Sequence, residues 1–180
     1  MQTQSENLAI VERLAADLDA RRLEPVLVGG MALVILGSQR ITKDYDFLIS
    51  SPSKTEDVVR ILYSNGLELV TKLGEDGNVQ RTVDREKIAV IKVTGTQPKS
   101  LFFYRAKGRL RVDLLFDFPI PAHEVSARAV PVTFQNRKVK VAAPEDLLRM
   151  KETARQERNI PSDLQDIEFL KSLLARRRPS

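Results

Sequence analysis

The 180-residue chain contains no cysteine, no tryptophan and a single histidine. Without thiols, disulfides, thiolate metal centres and cysteine nucleophiles are excluded. A serine–histidine–aspartate triad or a zinc site would have to be built around His123, which follows Pro119 and Pro121 in what reads as a surface loop. No apolar run approaches the roughly 20 residues of a membrane span. The N-terminus lacks the basic, apolar and small-residue zones of a signal peptide. The expectation is therefore a cytoplasmic protein with no membrane partner. Aromatic residues make up only 6% of the chain, few for a pocket built to hold a drug-like molecule.

Hydrophobic residues at 42% and charged residues at 29% suit a globular protein with a genuine core. The net charge of +5 is compatible with a phosphate-bearing substrate or with RNA. Part of that excess lies in Arg176-Arg177-Arg178, which reads as a solvated, frayed tail. The length predicts one compact unit over 1–143 and a helical segment over 144–180 packed on it.

Hydrophobic spacing places the elements. Ser5 is positioned to cap a helix carrying Leu8, Val11, Leu14, Ala15 and Leu18, and Pro25 marks its end. A short buried strand is expected over 26–28, a brief helix over 31–36, a strand over 41–49 and an amphipathic helix over 55–65. The middle is strand-leaning over 67–73, 88–93 and 101–104. Lys107-Gly108 turns a hairpin into 110–116, and a second hairpin joins 130–134 with 139–141. From Pro144 onward the pattern is helical, divided into two helices by Pro161.

The chemistry concentrates early. Gly29-Gly30 ends the first strand and opens a helix, where a side-chain-free backbone admits a phosphate or simply makes a tight turn. Asp44 and Asp46 follow inside an apolar run. Aspartate is disfavoured in strands, and residues two apart in a strand point the same way. Two carboxylates converging near a glycine turn suit a divalent metal held against a polyphosphate; the rival reading is a solvated edge strand. Tyr45, between them, faces the opposite side as core.

In the stretch from Leu110 to Asp117, Leu110, Val112, Leu114 and Phe116 share one face, and Arg111, Asp113, Leu115 and Asp117 share the other. Asp113 is costly to bury unless it meets a metal or pairs with an arginine. Asp117, at the strand's end, reads more simply as a turn residue.

Gly29-Gly30, Asp44-x-Asp46 and Asp113 together resemble the nucleotidyltransferase superfamily typified by DNA polymerase beta. The run Arg40-x-Thr42-x-Asp44-x-Asp46, the segment Ala143 to Lys151 and Asp163-x-x-Asp166 resemble its small bacterial branch of AbiEii-type toxins and antibiotic nucleotidyltransferases. The resemblance spans 25–174 with gaps. It implies an α+β fold: a small mixed β-sheet with flanking helices and a C-terminal helical segment. It further implies a transferase that moves a nucleoside monophosphate from a nucleoside triphosphate such as ATP to a hydroxyl acceptor. Asp44, Asp46 and Asp113 would be the metal and catalytic residues, with two Mg2+ ions and Asp113 as base. Gly29, Gly30, Arg40, Thr42 and Lys151 would bind nucleotide. Lys151 has a plain rival as a snorkelling surface lysine, and Arg40 as a surface ion-pair partner.

The basic excess and the lack of tryptophan favour a macromolecular acceptor; the resemblance implies tRNA or protein in that role, and a toxin–antitoxin pair with an antitoxin-type protein partner. A small-molecule, antibiotic-type enzyme and a non-catalytic nucleotide-binding or antitoxin module are the alternatives. Lys151, Arg155 and Arg158, at i, i+4 and i+7, predict a basic helical stripe on the cleft.

Overall fold

The structure is a computed structural model that describes residues 2–157 and 161–177. The elements in chain order are α1 (Gln2–Ala20), β1 (Val26–Val28), α2 (Gly29–Ile35), β2 (Asp44–Ile49), α3 (Thr55–Ser64), β3 (Glu68–Leu73), β4 (Val79–Val83), α4 (Glu86–Val93), β5 (Ser100–Arg105), β6 (Leu110–Phe116), α5 (Ala122–Arg128), β7 (Val130–Thr133), β8 (Lys138–Val141), α6 (Pro144–Glu157) and α7 (Pro161–Arg177).

All eight strands join one mixed sheet in the order β4-β3-β5-β6-β2-β1-β8-β7. The β2–β6 and β1–β8 pairs are parallel and the others antiparallel. β2 and β6 are thus central, which removes the edge-strand reading of Asp44 and Asp46. Tyr45 and Phe47 are buried on β2, and Leu110, Val112, Leu114 and Phe116 on β6, as strand alternation requires. Leu14 and Leu18 of α1, Leu62 of α3 and Phe103 of β5 complete the centre of the core without solvent exposure.

Six local expectations are corrected. Residues 88–93 belong to a helix, α4, not a strand. Their β-branched content favours a strand, but Ala89 and Val93, one turn apart, are buried while Ile88 and Ile91 face solvent, and the helix packs on α3. β4 was not expected, because only Val79 and Val83 are apolar in it; it is an edge strand, where Arg81 blunts further pairing. β2 begins at Asp44, leaving Ile41 91% exposed in the preceding loop. α1 starts before Ser5, whose hydroxyl accepts a hydrogen bond from Gln135 at 2.8 Å instead of capping. His123 is exposed but lies within α5. At the C-terminus, α7 continues through the exposed Arg176 and Arg177, and Arg178 lies outside the described residues.

A buried carboxylate fastens α1 to the β7–β8 hairpin. Glu12, 4% exposed, accepts at one oxygen from the backbone N–H groups of Gln135, Asn136 and Arg137 at 2.5, 3.0 and 3.2 Å. Burial alone would raise its pKa, but these three donors and the charge of Arg137 outweigh burial and lower it. Glu12→Ala strands three donors and is expected to cost about 2–4 kcal/mol in denaturant unfolding at neutral pH. Because the folded pKa is depressed, that contribution is present above the unfolded value of 4.5 and fades as pH falls through the folded one. The difference between wild type and variant should therefore shrink in acid.

Candidate active site

The central strands align the acidic residues. In the β2–β6 register Asp46 pairs with Asp113 and Asp44 with Arg111. Val28 of β1 sits beside Asp46, and Phe102 of β5 beside Asp113. Directly opposed residues in a sheet hold their side chains within about 5 Å, so Val28, Asp46, Asp113 and Phe102 form one row, with Asp44 and Arg111 forming the next. These rows floor a cleft of about 570 Å³.

Every residue that the resemblance assigns to metal, catalysis or nucleotide borders that cleft: Gly29, Gly30, Arg40, Thr42, Asp44, Asp46, Asp113 and Lys151. Its remaining walls were not anticipated. Phe102, Leu115, Phe118 and Pro119 form one apolar side, and Leu147 and Met150 of α6 form another.

The glycines make room for their neighbours. Gly29 has φ +65, and a Cβ there would lie 2.0 Å from Asp46 Oδ2; a Cβ at Gly30 would lie 3.0 Å from Arg40 Nε and 3.2 Å from Thr42 Oγ1. The pair is therefore a tight turn that seats the Asp46 carboxylate and the Arg40–Thr42 loop against bare backbone.

Among the described residues no group donates a hydrogen bond to the Asp46 side chain. Although it opens on the cleft, protein surrounds it. That burial, followed by the charges of Asp113 and Asp44, pushes its pKa up to about 7, against the smaller pull of Lys151 and Arg111. Burial also raises Asp113, partly offset by Arg111. The Arg111 guanidinium donates from Nε and Nη2 to the two oxygens of Asp113, both at 2.8 Å. This is the arginine pairing that sequence reasoning left open.

Asp117 is a turn residue. With φ +46, it accepts the N–H groups of Ser51 and Ala122, each at 2.7 Å, on separate oxygens.

The two cations from outside the sheet are held by α7. Lys151 Nζ lies 3.0 Å from Asp163 Oδ1 and 2.7 Å from Asp166 Oδ2, and Arg40 also pairs with Asp166 Oδ2. Asp163 and Asp166 are 1% and 4% exposed. This corrects the plain surface reading of Lys151, whereas Arg40, half-buried, is an ion-pair partner as its plain reading had it, with a buried carboxylate as its mate. It also divides the expected basic stripe. Arg155 lines a separate groove of about 410 Å³ with Glu152, Gln156, Ile167 and Lys171, and Thr153 and Ala154 face the cleft instead. Arg158 lies outside the described residues.

A lone, crowded carboxylate such as Asp46 fits a cation, since a positive ion would relieve the repulsion that raises its pKa. Asp44 and Asp46, two residues apart on β2, both line the cleft. Asp113 is engaged by Arg111, and among the described residues no three acidic or imidazole groups gather closely enough to hold an ion.

A family model described as "Nucleotidyl transferase AbiEii toxin, Type IV TA system" matches residues 9–178. The chain belongs to the AbiEii nucleotidyltransferase family. Like others so grouped it is a nucleotidyltransferase, with the α+β fold of a mixed sheet and flanking helices. The chain resembles the antibiotic-resistance factor ANT(2″)-Ia in solution, with a TM-score of 0.58 at 13% identity over 97% of this chain and 86% of that one. It also resembles the lincosamide antibiotic adenylyltransferase LnuA with lincomycin bound, with a TM-score of 0.52 at 15% identity over 88% and 92%. A Thermotoga maritima protein assigned as a nucleotidyltransferase gives a TM-score of 0.50 at 14% identity over 96% and 95%. At such identities the likeness is one of fold. No curated protein matches this AbiEii chain in sequence. No helix among its described residues is long and apolar enough to cross a membrane.

Proposed function

We propose that this nucleotidyltransferase moves a nucleoside monophosphate from a nucleoside triphosphate, ATP among them, to a hydroxyl of tRNA or protein, using Mg2+. The reading is carried by the in-register pair Asp46 and Asp113, which lies with Asp44 on the floor of one cleft. Asp44 and Asp46 would hold a divalent cation beside the triphosphate, where it would supply positive charge against the charge that develops during transfer. Asp113 takes the proton of the acceptor hydroxyl as its oxygen bonds to the α-phosphorus. The bridging bond to the β-phosphate breaks, and pyrophosphate leaves. Arg40, Thr42, Lys151 and the backbone at Gly29 and Gly30 line the wall that receives the phosphates. Helices α6 and α7 serve as a unit closing that wall over the core.

A macromolecular acceptor is supported by the net charge of +5 and by the toxin–antitoxin description of the family. That description also supports an antitoxin-type protein partner and a cytoplasmic setting. One observation favours a small-molecule acceptor instead: the apolar wall of Phe102, Phe118 and Pro119 offers ring faces despite the low aromatic content.

The deciding experiment incubates the protein with each α-labelled nucleoside triphosphate, Mg2+ and a cell lysate, and identifies the labelled species. RNA or protein labelling is expected, and label in small molecules alone overturns the acceptor assignment. Asp113→Asn should spare most nucleotide affinity while transfer falls by roughly two orders of magnitude or more. Near-normal transfer in Asp113→Asn, with loss in Asp117→Asn, would mean the wrong carboxylate carries the role.

A further inference from the structure

The side chain at the centre of the acidic rows is not a carboxylate but Arg111. Its fork takes both oxygens of Asp113 at 2.8 Å. Its Nη1 stands 3.9 Å from Asp44 Oδ2 and donates to the Gly77 carbonyl of the β3–β4 turn at 3.3 Å. Its guanidinium lies over the Phe102 ring, 5.4 Å from the centroid. One positive charge therefore reaches two of the three aspartates, hydrogen-bonding Asp113 and facing Asp44 as a longer ion pair. The fork–fork geometry with Asp113 is the strongest that a neutralising side chain can make with a carboxylate.

We propose that Arg111 is a resident counter-ion that competes with the divalent cation for Asp113 and Asp44. Cation and triphosphate then load together: the cation takes the carboxylates while the guanidinium turns to the incoming phosphate oxygens. This inference rests on the metal-dependent reading of the cleft. The chain itself supports the exchange. Gly77 O and the Phe102 ring hold the guanidinium over the cleft independently of Asp113, so release from Asp113 leaves it facing the ligand rather than solvent. In the absence of polyphosphate, cation binding must break a bidentate charged pair with no replacement anion for the arginine. With polyphosphate present, the arginine gains a partner of equal geometry. Cation and anion are therefore positively coupled through one residue, and the coupling is reciprocal.

The test measures Mn2+ affinity by electron paramagnetic resonance, with and without inorganic tripolyphosphate, in wild type, Arg111→Met, Arg111→Lys and Asp46→Asn. Free tripolyphosphate also binds Mn2+, so protein-bound ion is read from its own spectrum at matched free-ion concentration. Wild type should bind Mn2+ weakly alone and at least about tenfold more tightly with tripolyphosphate. Arg111→Met should bind Mn2+ alone about tenfold or more tightly than wild type, with most of the coupling lost, since a charged pair no longer opposes the ion. Arg111→Lys keeps the charge and lacks the fork; it should fall between the two and answers the question if Arg111→Met fails to fold. Equal Mn2+ affinity in wild type and the Arg111 variants, abolished by Asp46→Asn, overturns the counter-ion role and leaves the metal-dependent reading standing. Absence of Mn2+ binding from every protein, with and without tripolyphosphate, overturns both.

Discussion

Asp46→Asn is expected to abolish nucleotidyl transfer, by roughly three orders of magnitude, while making the ligand-free protein more stable at pH 8. The two effects have one origin. The folded chain holds Asp46 amid protein and beside Asp113 and Asp44, raising its pKa from 3.8 to about 7. A carboxyl whose folded pKa lies above its unfolded one favours the fold while protonated, below the unfolded value. That contribution is lost as pH rises through the folded value. Above about pH 7 the wild-type chain must carry a crowded negative charge that asparagine lacks, and the variant should gain about 1–3 kcal/mol there. Near pH 4 the two proteins should unfold alike. Thermal unfolding across pH 4–8 measures the crossing. Adding Mg2+ with nucleotide should reverse the ranking at pH 8, because only wild type can be stabilised by the bound ligand. A variant no more stable than wild type at pH 8 would remove the electrostatic account of the site. Cation binding should likewise strengthen from pH 6 to pH 8, as Asp46 gives up its proton.

Lys151→Ala is expected to damage folding as well as nucleotide binding. An exposed lysine changes stability by only a few tenths of a kcal/mol when truncated, roughly within ±0.5. Lys151, however, sits between two carboxylates that are 1% and 4% exposed, at 3.0 and 2.7 Å. Removing one partner of a buried ionic cluster leaves uncompensated charge and costs about 3–5 kcal/mol. Arg40 stays paired with Asp166, which places the expected loss at the lower end. Denaturant unfolding checks the magnitude. A double-mutant cycle with Asp166→Asn checks the cause, because the lysine substitution should cost less once one of its two carboxylate partners is neutral. The nucleotide KM should rise in both lysine-lacking variants, since Lys151 borders the cleft. A loss below about 0.5 kcal/mol would return Lys151 to the plain reading of a surface side chain.

The local chemistry of this site was legible in the sequence because strand geometry is local. The two-residue spacing of Asp44 and Asp46 and the alternation from Leu110 to Phe116 fix which side chains share a face, whatever the rest of the chain does. Alternation puts Asp113 and Asp117 on one face, and the choice of Asp113 as the cleft carboxylate follows instead from the place of Asp117 at the strand's end, free to turn. Helix α4 and strand β4 escaped for the converse reason. Their residues carry weak or contrary local preferences, and packing on α3 and pairing with β3 decided them. What only the tertiary structure decided is partnership. The sequence placed Arg111 beside Asp113 on one strand face, yet the β2–β6 register brought Arg111 to Asp44 and the β3–β4 turn brought it Gly77. Asp163 and Asp166 stood out as a motif, but folding α7 back onto α6 is what joined them to Lys151, and Asp166 to Arg40, 126 residues away along the chain. Charge is a long-range quantity. Which carboxylates stay bare and which are neutralised depends on every element that packs against them, and no stretch of sequence carries that information alone.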